Sequence, residues 1–430
     1  MGTLGNGNVD AGKALRSRNV MALAHAVQHV FAMSIPPLLV FIQADLQFSW
    51  TELGVAVAAG YITSGLIQFV SGFLVDKFGV KRVLVGGFSL LLLGLFCLSR
   101  SHTLQMMVFS QILFGIGNST FHPASFAEVS KATRHRGLGM GMAWHNIGGN
   151  VGGAAAYSIA ALLATWLGWR TAIIVMVAGG AVLTVIFAAS YREMPDLEVE
   201  EDDVGDIDAD KLQSEVAAAS DQANEESDSN SNLSDVRKWL PVILVAAAAL
   251  LSGVFSRGLN TFLPTFLTTV RGASGAVAGM LSTILLLSGA GGSFLGGKLG
   301  DERNRKQVVL FSSVITALFV FVLVRFPLTG LPLILVLIAI GFSLSVARPC
   351  LNAITSEVSP GGKTGTAFGV VFGVMSLGGS GITPVIGYIA DHFSLQLGFV
   401  LLAVAFLLHG LLMQKVNTSK DNGNGELERT

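Results

Sequence analysis

Gly72-Phe-Leu-Val-Asp76-Lys77-Phe-Gly79-Val-Lys81-Arg82 joins two long apolar runs early in the chain. Gly297-Lys-Leu-Gly-Asp301-Glu-Arg303-Asn-Arg305-Lys306 joins two more in its second half. Each loop puts an acid where one apolar segment ends and bases where the next begins. A short turn of this kind can lock neighbouring helix ends. Asp76 is suited to cap a nearby helix N-terminus through its partial positive charge, and Arg82 to seek a carboxylate such as Glu128.

Outward from these loops, composition decides the class. The 430 residues are 51% hydrophobic and 13% charged, which excludes a soluble globule and indicates a polytopic membrane protein. Runs long enough to cross a hydrocarbon layer of about 30 Å fall at roughly 20–42, 53–75, 83–99, 104–127, 138–164 and 168–190. A second set falls at roughly 239–267, 276–299, 308–325, 331–355, 366–390 and 395–414. The expected fold is all-α, with twelve transmembrane helices in two six-helix bundles, 20–190 and 239–415, related by a pseudo-two-fold axis.

Between the bundles, 191–238 carries sixteen Asp or Glu against four Lys or Arg, the composition of a disordered acidic tether. Tails at 1–19 and 416–430 complete the chain given. The first twenty residues are polar and basic and the apolar run after them is full length, so the first helix is expected to be retained. With both termini cytoplasmic, twenty-one basic residues lie on the cytoplasmic side and only Arg100, Arg170, Arg271 and Arg325 on the other. That matches the positive-inside bias and predicts a multi-pass protein of the inner or plasma membrane. Cys97 and Cys350 sit in or near apolar segments and suggest packing, neither a disulfide nor a thiolate metal site.

Four intramembrane charges fall at matching places in the two halves. His29 lies seven residues before Pro36 and Arg257 seven before Pro264; His122 precedes Pro123 and Arg348 precedes Pro349, each seven residues after a glycine. Ionisable side chains in apolar helices are costly to insert and mark substrate or ion pathways. The arginines carry the sharper inference, because the guanidinium stays charged and its fork suits carboxylate, sulfonate or phosphonate oxygens. The acids outside the linker map to segment ends or loops, Glu128 among them, so no mid-membrane carboxylate is expected to neutralise either arginine. The expected substrate-binding set is therefore His29, His122, Arg257, Asn260 and Arg348. His25, one turn before His29, joins His29 and His122 as a candidate for proton coupling, since imidazole changes charge near neutral pH. Gln28, His145 and Asn150 form a secondary candidate set.

The two acid-base loops, the long central break and the twelve apolar runs resemble the major facilitator superfamily, over roughly 20–190 and 239–415. The resemblance implies two bundles that rock about a central cavity faced by the first, fourth, seventh and tenth helices. It implies that the loop between the second and third helices stabilises the outward-open state. By that carry-over Gly72, Asp76, Gly79, Lys81, Arg82, Glu128, Asp301 and Arg305 are gating residues. Within the superfamily, Gly115-Ile-Gly117-Asn-Ser-Thr-Phe121-His122-Pro123 and His145-Asn146-Ile-Gly148-Gly149-Asn150-Val-Gly152-Gly153 resemble the fosmidomycin-resistance branch, which exports a phosphonate drug. The Gly-Pro-x-x-Gly-Gly pattern of proton-antiporting drug exporters is absent from the fifth segment.

The expected function is secondary active transport of a small organic anion by alternating access, coupled to protons through cavity histidines. Multidrug or fosmidomycin-like efflux by proton antiport is the alternative, and a non-transporting membrane sensor a remote one. No nucleotide-binding loop or nucleophile elbow points to an enzyme. His25, Gln28 and His29 have helical spacing for a metal pair but lack a neighbouring carboxylate or thiolate, so neither metal nor cofactor is expected. The partners expected are the anion, protons and the bilayer, with no nucleic acid, and a monomer suffices.

Overall fold

The computed structural model describes residues 4–133, 138–192, 231–360 and 364–417, and among them every regular element is a helix. The greater part of the expected linker, 193–230, and the last residues, 418–430, lie outside the described residues, as do Arg134 and Arg136. In chain order the helices are α1 Leu4–Ala32, α2 Ile35–Leu46, α3 Trp50–Phe78, α4 Val80–Ser99, α5 Leu104–Ser119, α6 Phe121–Thr133, α7 Leu138–Leu167 and α8 Trp169–Ser190. They continue with α9 Ser231–Thr269, α10 Gly275–Glu302, α11 Arg305–Arg325, α12 Gly330–Glu357, α13 Thr364–His392 and α14 Leu395–Met413.

Among the described residues ten helical spans are long and apolar enough to cross a membrane, and eleven if α3, bent by 55° between 68 and 70, counts as one. The expected span 104–127 is divided at Thr120, so the count of twelve is not reached on this measure. Pro123 explains the break: it lacks the N–H that would reach the carbonyl of residue 119, and its ring crowds that carbonyl. Pro36 and Pro37 likewise open α2 after a short gap, where a missing N–H costs nothing.

Helix starts follow the local chemistry. Ser49 and Glu52 form a reciprocal capping box on α3, and Thr103, Ser274, Asn304 and Ser394 cap α5, α10, α11 and α14. Gly79 in the first acid-base loop turns the chain at φ 80°, a conformation that disfavours any side chain.

Buried apolar side chains divide into clusters confined to 21–191 and one confined to 242–416. Within each half, glycines let backbones meet. Gly148 and Gly152 of α7 lie on the carbonyls of Ala22 and Ala26 of α1, and Gly292 and Gly296 of α10 lie on those of Phe342 and Val346 of α12; none has room for a Cβ. Small residues of this kind provide close packing where lipid removes the hydrophobic drive between helices.

The halves meet through α3 with α13 and α7 with α10, but only at one end. A Cβ on Gly54 would sit 2.8 Å from Pro384 Cα, Gly387 lies on Trp50, and Gly279 lies on Tyr157 and Ala161. Five helical turns further on along the same faces, Gly72 of α3, Gly369 of α13 and Gly297 of α10 have nothing within 4 Å of a built Cβ. The interface is thus sealed at the end carrying the loops 46–50 and 392–395 and splayed at the end carrying the acid-base loops. Asp391 closes the sealed end: its carboxylate accepts the N–H groups of Trp50 (2.9 Å) and Thr51 (2.8 Å) and the Thr51 hydroxyl (2.5 Å), capping α3 from the other half.

Candidate functional site

At the base of the splay lies a cavity of about 160 Å³ bounded by both halves. α1 contributes His29, the turn after it Met33, α7 Asn150, α9 Asn260, α10 Ser293, and α12 Ser345 and Arg348. Tyr157 seals it toward the closed end, its hydroxyl donating to the Asn260 carbonyl at 2.8 Å. A larger cavity of about 490 Å³ lies elsewhere, on the flank of α10, α11 and α12, lined chiefly by Leu295, Phe311, Ile315 and Phe319 with Arg303 at one end. Its place within one half and its apolar walls suit a lipid chain.

Arg348 stands deep between the halves, yet its side chain is open to the cavity. Among the described residues it makes no ion pair or hydrogen bond, and neither does Arg257. Arg257 lies outside the cavity lining and rests across the interface on α3, its guanidinium 3.9 Å from the centre of the Tyr61 ring. Two unneutralised cations beside a small polar cavity create a strongly positive site. The absence of a counter-charge is not for want of any buried acid: Glu128, expected at a segment end, is fully buried on α6. It accepts from Ser17 Oγ at 2.7 Å, and Ser17 lies about 12 Å along α1 from His25.

Behind the cavity wall, α1, α6 and α7 bring four imidazoles together. His25 stacks on His145 with ring centres 4.1 Å apart and meets His29 and His122 edge-on at 4.5 and 5.2 Å. His25 Nδ1 donates to the His145 carbonyl (2.9 Å), leaving Nε2 as its acceptor, and that nitrogen is 3.2 Å from His29 Nε2. His29 alone of the four also lines the cavity. Glycine makes the room: a Cβ on Gly149 would fall 2.5–2.8 Å from the His25 ring atoms.

The sequence-based set therefore separates. His29, Arg348, Asn260 and Asn150 share the cavity; Arg257 stands beside it; His25, His122 and His145 form the cluster behind His29. Gln28 points elsewhere, donating to Asn118 Oδ1 (2.5 Å), while Asn118 Nδ2 donates to Ser64 Oγ (2.9 Å). Tyr61, Tyr157, Ser293 and Ser345 were not anticipated. Hydroxyls in apolar runs are too common to single out, and only the fold sets Tyr61 against Arg257.

The two acid-base loops differ. Arg305 pairs closely with Glu357, donates to the Gly300 carbonyl (2.9 Å) and lies 3.9 Å from Asp301. Asp76 and Arg82 are exposed and make no ion pair among the described residues, so the cap and the Arg82–Glu128 pair expected of the first loop are not formed in this conformation.

A family model of the Major Facilitator Superfamily matches residues 21–379 and 245–429. The fosmidomycin resistance protein of Escherichia coli (strain K12) is 24% identical over 398 residues, covering 90% of this chain and 89% of that protein. The probable nitrate transporter NarT of Staphylococcus haemolyticus is 25% identical over 393 residues, covering 89% and 92%. Among solved structures, a bacterial homolog of the human lysosomal transporter Spinster superposes with a TM-score of 0.75 at 13% identity, covering 92% of this chain and 94% of that one. A D-xylose-proton symporter does so at 0.72 and 15%, covering 94% and 98%.

Proposed function

The chain belongs to the Major Facilitator Superfamily, whose members are membrane transporters and not enzymes, and we propose that within it this protein is a secondary active carrier of a small anion. The observation that carries the reading is the pair Arg257 and Arg348, two guanidinium groups beside a cavity between the halves with no carboxylate against either among the described residues. Two guanidinium charges held beside a small cavity between helices concentrate positive potential and draw in a counter-anion, so the substrate supplies the missing charge. Carboxylates, sulfonates and phosphonates fit the guanidinium fork, and His29, Asn150, Asn260, Ser293 and Ser345 offer further polar contacts to their oxygens. The names of the two relatives, one for a phosphonate drug and one for nitrate, support an anion.

In the finer form of the proposal the two bundles are 20–190 and 239–415, with twelve spans, cytoplasmic termini and the acidic tether 191–238. The acid-base loops then face the cytoplasm and the structure is inward-open. One chain supplies both walls of the cavity, so no second copy is needed. Coupling is to protons through His29, with His122 and His25 behind it. Efflux by proton antiport uses the same residues in the reverse sense, a reading favoured by the His122-Pro123 and Gly148–Gly153 runs.

The test is flux into proteoliposomes of nitrate, carboxylates, sulfonates and phosphonates under an imposed pH gradient. An anion should move with the gradient, Arg348→Ala and Arg257→Ala should each abolish its movement, and His122→Gln should uncouple it. Normal flux in both arginine variants, or transport of cations instead, refutes the reading.

A further inference from the structure

The histidine cluster has a property that neither anion binding nor proton transfer requires. His25, His29 and His122 each present a ring nitrogen, and the three lie within 4.8 Å of one another. Two of them, the Nε2 atoms of His25 and His29, are 3.2 Å apart. A tetrahedral ion with nitrogen ligands at about 2.0–2.1 Å separates those ligands by roughly 3.3–3.4 Å. The His25–His29 spacing already meets that requirement, and rotation of the His122 ring brings the third nitrogen in.

The surroundings match what such a site needs. Metal-bound imidazoles nearly always donate their second N–H to a carbonyl or carboxylate, which turns the free lone pair toward the ion. His25 does this through Nδ1 to the His145 carbonyl. His122 Nδ1 is buried with no hydrogen-bond partner among the described residues, an unsatisfied nitrogen that an ion or a proton would occupy. Phe121 and Phe126 wall the cluster, and among the described residues no carboxylate joins it. Sequence reading expected no metal because no carboxylate or thiolate neighbours His25 and His29; packing of α6 against α1 supplies His122 as a third imidazole instead.

We propose that His25, His29 and His122 form a binding site for one divalent transition cation of the zinc, cobalt, nickel or copper class. Three imidazoles without oxygen ligands favour these borderline ions over magnesium or calcium. The fourth coordination position faces the cavity, because His29 is the ligand that lines it. His145 acts as a positioning residue through its carbonyl and the stacked ring. Gly149 leaves the space in which the His25 ring is held. The site is independent of the anion reading, although a bound ion takes the lone pairs that a coupling proton would use.

The experiment uses the full-length protein, purified with any polyhistidine tag removed, stripped with a chelator and titrated with Co²⁺ and then Zn²⁺. The expected result is one Co²⁺ per chain with the intense visible bands of tetrahedral coordination, displaced by Zn²⁺. His25→Ala, His29→Ala and His122→Ala should each weaken binding by at least about tenfold. His102→Ala and His392→Ala, outside the cluster, should leave it unchanged. Gly149→Ala should weaken it while every ligand remains. Failure of the monodisperse wild-type protein to bind Co²⁺ stoichiometrically overturns the proposal, as does binding that survives the double variant His25→Ala/His29→Ala. Anion flux is read separately: a wild-type protein that carries anions but binds no Co²⁺ removes only this inference, and one that binds Co²⁺ without anion flux removes only the transport reading.

Discussion

Replacing Asp391 by Asn will shift the protein toward the state in which the now-sealed end is open. In the structure the Asp391 carboxylate bridges from α13 to the first turn of α3, accepting from two backbone N–H groups and one hydroxyl within 2.5–2.9 Å. Hydrogen bonds to a charged group contribute about 1.5–3 kcal/mol each when sheltered. A carboxylate at a helix N-terminus adds about 0.3–1 kcal/mol. Asp391 is exposed, so these figures must be cut by solvent screening, and Asn keeps one acceptor oxygen. The net loss is about 1–2 kcal/mol, which is about a 5- to 30-fold change in the ratio of the two states. Spin labels at Ala44→Cys and Phe393→Cys, in a chain with Cys97 and Cys350 replaced, report the distance across that end. The long-distance population should rise by that factor in Asp391→Asn. An unchanged distribution, or one shifted to shorter distances, refutes the idea that this carboxylate holds the end shut.

Gly54→Val should produce a stronger shift in the same direction, because a side chain there collides with the Thr383 and Pro384 backbone; the same labels should report an open end, and transport should fail without loss of a monodisperse protein. Tyr61→Ala removes the ring beneath Arg257 and should weaken anion binding by about 2- to 30-fold, from the roughly 0.5–2 kcal/mol of a cation-π contact, as measured by substrate titration of the purified protein. Gln28→Ala should lower thermal stability, by about 1–3 kcal/mol for the polar partners it leaves buried, while anion affinity changes little, since that side chain faces Asn118 and not the cavity.

Much of this protein was legible in the chain itself. The apolar runs, the acidic break and the repeated acid-base loops are local or compositional signals, and helix insertion into a bilayer obeys local rules because every backbone group must be satisfied within its own segment. The pairing of His29 with Arg257 and of His122 with Arg348 was visible as a repeat in spacing. Tertiary structure alone decided where those side chains went. Arg348 reached the cavity and Arg257 turned onto Tyr61. Gln28, adjacent to His29, rotated to the opposite task of holding Asn118. The gathering of His25, His29, His122 and His145 required Pro123 to break the fourth segment and glycines to bring α1 and α7 within backbone contact. Helix rotation, crossing and close approach arise from packing between residues far apart in the chain, which a one-dimensional period does not encode.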